Sequence, residues 1–239
     1  MEEESDDDDV DDNPLLEYKT IPHHGGINRI RVMPHQETHI VATWAETGKV
    51  HIFDASAHMR ALDVPGTILP KDVKPIYTNH KHGRHEGYAL DWSSVVPGRL
   101  LSGDTNSKIY LTQANSDSSI STEDQPFVGH KASVEDVQWS PSEKDVFVSG
   151  SVDKTIKVWD VRAGKKPQLS IIAHDSDVNV MSWNRYVICR GCSLTLFDIM
   201  PPGTPKGVYI SVHGLVKELY RNYSLHASLL MLAFTHFFE

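Results

Sequence analysis

Cysteine is scarce in this sequence: 239 residues contain two, both in the motif Cys189-Arg190-Gly191-Cys192. Two cysteines cannot form the disulfide framework on which small secreted domains depend. The C-x-x-C spacing is that of half a zinc site or of a redox pair. Because no second C-x-x-C or H-x-x-x-H motif follows and no βαβ pattern surrounds it, we expect neither a metal site nor redox chemistry here.

Long hydrophobic runs and common catalytic motifs are also missing. The most apolar stretch, residues 225–238, contains Ser228 and Thr235 and is shorter than the roughly 18 residues of a membrane span. We expect an amphipathic helix or a disordered tail there. No secretory signal pattern opens the sequence, and neither G-x-x-x-x-G-K-[ST] nor G-x-S-x-G occurs. These absences favour a non-enzymatic protein without a cofactor, a membrane segment or a small-molecule substrate.

Negative charge is concentrated at the N-terminus. The chain has 32 Asp and Glu against 23 Lys and Arg, and residues 1–12 hold nine of the acids and no base, so the remainder is formally neutral. A block of like charge repels itself and is expected to stay extended and solvated. The acids of this arm are Glu2, Glu3, Glu4, Asp6, Asp7, Asp8, Asp9, Asp11 and Asp12.

Two interpretations of the acidic arm remain open. It is either a solubility tail or a polyanion that covers the nucleic-acid-binding surface of a basic protein. Ser5 precedes four aspartates and is a candidate site for an acid-directed kinase, which would add about two negative charges. The neutral remainder offers no broad basic patch, so we do not expect direct binding of nucleic acid.

The segment 129–160 has the pattern of one complete blade of a β-propeller. It begins with Gly129-His130 and ends with Trp159-Asp160, and three runs of strand-forming residues lie between polar turns. A repeat of this kind forms four antiparallel strands. The pattern predicts an all-β fold.

Four polar positions of this blade can form one buried hydrogen-bonded chain. We predict that Asp153 holds a ring nitrogen of His130, and that the hydroxyl of Ser149 joins the histidine to the indole N–H of Trp159. A histidine with an aspartate and a serine also resembles a hydrolase triad. Within a structural repeat, a buried structural brace is the better interpretation.

Internal repetition supports the same architecture. Trp92, Trp139 and Trp183 lie 47 and 44 residues apart, close to the period of a four-stranded blade. A step of 20 residues leads from Trp139 to Trp159, from Trp92 to Thr112 and from Met33 to Phe53. The segments 29–54 and 88–113 are therefore predicted to be two further blades. Because Thr112-Gln113 replaces Trp-Asp, the second blade is expected to lack a full polar brace.

Three histidines, His80, His82 and His85, precede the second blade and have the composition of a metal cluster. A polar histidine is expected in the turn before a blade, and Glu86 is the sole carboxylate nearby in sequence. We therefore expect a loop role for them and no metal.

The repeat pattern weakens after Arg185. A fourth repeat starts at residues 173–185, but no Trp-Asp end follows. The sequence predicts an acidic disordered arm at 1–20, propeller blades at 21–185, and a divergent tail at 186–239 for which helix and disorder remain open. A ring of about three blades plus a fragment leaves open strand edges, so we expect a marginally stable chain that self-associates.

The segments 129–162 and 173–185, together with PHHGGINRIRV at 22–32, EGYALDWSS at 86–94 and GRLLSGD at 98–104, resemble the glutamate-rich WD-repeat proteins. That family comprises nuclear and nucleolar factors of ribosome assembly related to histone-binding chaperones. The resemblance implies protein-protein interaction, basic ribosomal proteins as partners with histones as a further candidate, and location in the nucleus, at the nucleolus. The alternative is an adaptor, such as a substrate receptor of a ubiquitin ligase. The histone chaperones have an N-terminal helix that is not evident here, which argues against histone binding in their manner.

Overall fold

The computed structural model describes residues 17–184, apart from 35–38, 65 and 71, together with strands at 193–197 and 208–211. The described part consists of successive antiparallel sheets, one for each sequence repeat. Within these residues no helix has the length and apolar character needed to cross a membrane.

The first two sheets match the first two predicted repeats. Sheet 1 contains β1 (Ile27–Val32), β2 (Ile40–Ala45), β3 (Lys49–Asp54) and β4 (Tyr77–Asn79), with helix α1 (Ser56–Asp63) between the last two strands. Sheet 2 contains β5 (Ala89–Trp92), β6 (Arg99–Gly103), β7 (Lys108–Ala114) and β8 (Ile120–Thr122), and β9 (Phe127–Val128) also pairs with β7.

The third and fourth sheets follow the same order. Sheet 3 contains β10 (Val134–Trp139), β11 (Val146–Ser151), β12 (Thr155–Asp160) and β13 (Leu169–Ile172). Sheet 4 contains β14 (Val180–Asn184), β15 (Ser193–Phe197) and β16 (Val208–Ser211). The prediction of an all-β fold with three propeller blades and part of a fourth is confirmed. The last two strands lie in the predicted tail; the rest of that tail, including residues 225–238, lies outside the described residues.

The core lies between neighbouring sheets, because each strand presents apolar side chains to both faces. Trp44 and Ile52 of sheet 1 meet Leu90 and Leu100 of sheet 2. Sheet 2 meets sheet 3 through a cluster that includes Leu101, Leu111, Val137, Phe147 and Trp159, and sheet 3 meets sheet 4 through Val148, Val158, Val178 and Met181. Stacking of this kind makes each blade depend on its neighbours.

Glycines permit the close approach of one sheet to the next. A Cβ atom at Gly103 would lie 2.8 Å from Val134 Cγ1, and one at Gly150 would lie 2.7 Å from Val178 Cγ1. In sheet 1 the equivalent position holds Trp44, whose indole donates to the carbonyl of Gly103 at 3.0 Å. Gly87 makes room for that ring, because a Cβ there would lie 2.7 Å from it.

One detail of the predicted repeat step is wrong. In the register of sheet 1, Phe53 faces Val41, and Val41 faces Val32, whereas Met33 lies just beyond the strand. Val32 is therefore the position equivalent to Trp139, and its distance from Phe53 is 21 residues. The cause is a connection between β1 and β2 that is one residue longer than its counterpart in sheet 3.

Candidate functional site

The four polar residues singled out in the third repeat lie in one hydrogen-bonded chain. Nδ1 of His130 is 2.9 Å from Asp153 Oδ2, and Nε2 is 2.6 Å from Ser149 Oγ. Trp159 Nε1 donates to the same hydroxyl at 2.8 Å. Because an indole N–H can only donate, Ser149 accepts from Trp159 and its own proton points to His130 Nε2. His130 Nδ1–H then donates to the carboxylate.

The hairpin between β11 and β12 fixes the carboxylate in this position. Asp153 lies in the turn, where its Oδ1 accepts from the backbone N–H of Thr155 at 3.0 Å and its Oδ2 from that of Lys131 at 2.9 Å. Lys154 completes the turn with a φ of 69°. Asp153 thus joins the segment that precedes β10 to the turn that follows β11.

The environment sets the protonation of both titrating groups. Burial lowers the pKa of His130, although the neighbouring Asp153 acts in the opposite direction. For Asp153, burial acts to raise the pKa, but hydrogen bonds from Thr155, the Lys131 backbone and His130 outweigh it and lower the pKa to about 2. Near neutral pH the chain therefore combines a neutral imidazole with an ionised carboxylate.

Access argues against hydrolase chemistry at these residues. Ser149 is 0% exposed, and its hydroxyl is engaged by Trp159 and His130 together. A nucleophile must reach the substrate carbonyl, which a fully enclosed oxygen cannot do. The arrangement is suited to satisfying polar groups inside the blade.

Sheet 2 has a corresponding chain that sequence reasoning missed. His82 Nδ1 is 2.8 Å from Asp104 Oδ2, and His82 Nε2 is 2.8 Å from Ser102 Oγ, with both the histidine and the aspartate buried. The loop role expected for His82 was therefore too modest. Thr112 does replace the tryptophan, so this chain has no indole donor.

The carboxylate of sheet 2 comes from a different sequence position. Asp104 lies two residues before Asn106, which is the register equivalent of Asp153. It nevertheless accepts from the backbone N–H of Asn106 and Lys108, as Asp153 does from its own turn. A search for an aspartate at the fixed position could not find it.

Sheet 1 retains only the histidine and the hydroxyl. His23 Nε2 is 2.9 Å from Thr43 Oγ1, and the carbonyl of Gly25 takes the place of the carboxylate at 2.9 Å from Nδ1. In all three sheets the histidine precedes its hydroxyl partner by 19 or 20 residues. That constant separation is the sequence signal that could have identified the set.

Several predicted sites fall outside the described residues. These are the acidic arm with Ser5, and the pair Cys189 and Cys192. Within the part of the chain that is described, no group of three or more His, Cys, Asp or Glu side chains could hold a metal ion.

We expect the stability of the fold to fall as the pH drops below about 6.5. Burial lowers the pKa of His82 and His130, and burial together with nearby His23 and Lys49 lowers that of His51 to about 4. Since the unfolded chain keeps ordinary histidine pKa values of about 6.5, it binds more protons than the folded state in this range. Below pH 4 the protonation of Asp153 adds to the loss. Urea unfolding at pH 7.5, 6.0 and 5.0 measures the effect; equal midpoints at the three values would contradict it.

Comparison with known proteins gives matches over the same segments. The family model described as WD domain, G-beta repeat matches residues 121–160. The chain is 45% identical over 185 residues to ribosome assembly protein rrb1 of Schizosaccharomyces pombe, which covers 74% of this chain and 38% of that protein. It is 47% identical over 159 residues to glutamate-rich WD repeat-containing protein 1 of Dictyostelium discoideum, which covers 66% and 32% respectively.

A plant relative shows similar agreement. Protein HEAT STRESS TOLERANT DWD 1 of Arabidopsis thaliana is 46% identical over 168 residues, 68% of this chain and 35% of the relative. The chain thus spans about a third of the length of the curated relatives it matches. The predicted resemblance is confirmed, and the chain is a WD-repeat protein homologous to the glutamate-rich WD-repeat family.

Proposed function

We propose that this protein is a non-enzymatic binding factor of ribosome assembly that escorts basic ribosomal proteins. The observation that carries the proposal is the 45% identity to a protein named as a ribosome assembly protein, over most of this chain. WD repeats are scaffolds for protein-protein contact, and the fold alone does not define a partner. The partner class therefore rests on the homology together with the charge of the chain.

The charge distribution suits a basic partner. Residues 1–12 carry nine carboxylates, whereas the remaining 227 residues are formally neutral. A ribosomal protein displays basic surface that normally contacts RNA, and an acidic segment can occupy that surface until RNA replaces it. In this proposal the arm at 1–20 supplies attraction, and the blades at 21–185 supply the specific contact. Histones are a further candidate partner by the same charge argument.

The location follows from the proposed partner. Ribosomal proteins join ribosomal RNA in the nucleolus, so a factor that escorts them is expected in the nucleus and at the nucleolus. The buried state of Ser149 supports the non-enzymatic part of the proposal, because the His130, Asp153 and Ser149 set serves the interior of the blade.

A pull-down tests this function. The full chain and a form that lacks residues 1–12, each immobilised at equal density, are incubated with nuclear extract treated with nuclease, and bound proteins are identified by mass spectrometry. We expect basic ribosomal proteins to be enriched on the full chain and reduced on the shortened form. Enrichment of ubiquitin-ligase subunits without ribosomal proteins would instead support the adaptor alternative and would overturn the proposal.

A further inference from the structure

A cavity lies where the first strands of the four sheets end. Its volume is about 290 Å³. Three tryptophans, Trp92, Trp139 and Trp183, contribute to its wall, one from the end of each of β5, β10 and β14. The other lining residues are Arg31, Val32, Pro34, Asp91, Ser94, Gln138, Pro141 and Ser182. The wall is thus aromatic and apolar with a few polar groups, which is the usual composition of a ligand pocket.

The indole N–H groups of the three tryptophans are not equally satisfied. Trp92 Nε1 donates to the carbonyl of Arg31 at 3.1 Å, and Trp183 Nε1 donates to that of Gln138 at 3.5 Å. Trp139 Nε1 is buried and has no hydrogen-bond partner among the described residues. The Trp139 side chain itself is 4% exposed. A buried donor without an acceptor is costly, so this atom is a place where a ligand acceptor gains an unused hydrogen bond.

The other polar groups of the cavity limit the charge of a ligand. Arg31 and Asp91 carry opposite charges, and Asp91 Oδ2 already accepts from the Trp139 backbone N–H at 2.8 Å. The amide oxygen of Gln138 accepts from the Trp183 backbone at 3.3 Å. A cavity with one charge of each sign favours a neutral ligand over a phosphate or a polycation. The ligand must be neutral, must fit against indole rings and must bring a free acceptor.

We propose that this cavity binds a proline-containing extended segment of a partner protein, with a backbone carbonyl accepting from Trp139 Nε1. A polyproline II segment has no internal hydrogen bonds, so its carbonyls are free to accept. Its pyrrolidine rings are apolar, and aromatic-lined grooves bind such preformed segments at low entropic cost. This site is separate from the acidic arm, and it adds a neutral recognition element to the proposed function.

Nuclear magnetic resonance of the indole groups tests the proposal directly. The chain has five tryptophans, and Trp44 and Trp159 donate to Gly103 and Ser149 far from the cavity wall. The ¹⁵N-labelled full chain is titrated with acetylated hexaproline amide. An acetylated Gly-Ser hexamer amide of the same length is the control peptide. We expect the Trp139 resonance, assigned with Trp139→Phe, to shift with hexaproline while those of Trp44 and Trp159 stay in place.

A matched pair of variants separates recognition from folding. Trp139→Phe keeps the ring and removes the unpaired donor, so we expect hexaproline affinity to fall about three- to tenfold, the range of one hydrogen bond, without a lower melting temperature. Trp92→Phe removes a donor that is already paired, and it should lower the melting temperature while changing affinity less. The proposal is overturned if hexaproline binds no more tightly than the Gly-Ser peptide, or if Trp139→Phe binds it as well as the unmodified chain.

Discussion

Replacing Asp153 by alanine is expected to lower the free energy of unfolding by about 1–3 kcal/mol. The substitution removes the acceptor of His130 Nδ1 and of the Lys131 and Thr155 backbone N–H groups. His130 then stays buried with an unpaired donor, and the turn before β12 loses its internal hydrogen bonds. Urea unfolding at pH 7.5, followed by circular dichroism, measures the change.

A matched control makes this result specific to the buried chain. Asp117 is an exposed aspartate in a turn, where it accepts from the backbone N–H of Ser119 at 3.0 Å. Asp117→Ala removes the same charge but leaves no buried donor unpaired, so we expect a change within about 0.5 kcal/mol. Equal effects of the two substitutions would show that His130, Ser149, Asp153 and Trp159 do not stabilise the blade as a set.

Deleting residues 1–12 is expected to slow association with a basic ribosomal protein about tenfold or more at low salt. The deletion removes the nine carboxylates that give the chain its net charge of −9. Attraction through exposed charge is screened over about 8 Å at physiological ionic strength, so the full chain should lose affinity steeply as salt rises. The shortened chain should show a much flatter dependence, because only the contact through the blades remains.

Surface plasmon resonance at 50 and 300 mM salt provides the measurement, with a purified basic ribosomal protein and with histones. The control is a chain of unchanged length in which the nine acids are replaced by Asn and Gln. It should behave like the deletion if charge is the cause, and like the full chain if chain length is the cause. Equal affinities with and without the acids at both salt concentrations would contradict the charge mechanism.

The third repeat was the part of the fold most open to prediction. The Gly129-His130 beginning and the Trp159-Asp160 end bound one repeat, and short hairpins connect β10, β11 and β12. In short hairpins the register follows from loop length, so residues at fixed separations must meet. For the same reason the single additional residue after β1 was enough to displace the predicted equivalence from Val32 to Met33.

The second repeat shows where such prediction ends. Its carboxylate is on Asp104, two positions from the place that the third repeat suggests, because the orientation of the side chain and the path of the backbone can exchange roles over that distance. No pattern of residue types distinguishes that arrangement from a loop histidine with an unrelated aspartate. The chain geometry of sheet 2 was required to pair His82 with Asp104.

The sequence by itself determined the period of the repeats, the all-β class and the segregation of acidic residues into the first twelve positions. These properties follow from local spacing and composition, which folding does not alter. Only the tertiary structure decided how Trp44 fits against Gly87 and Gly103, and which tryptophan of the cavity lacks an acceptor. Those relations join residues of different sheets, about 45 to 60 positions apart, and they depend on the packing of one sheet against the next.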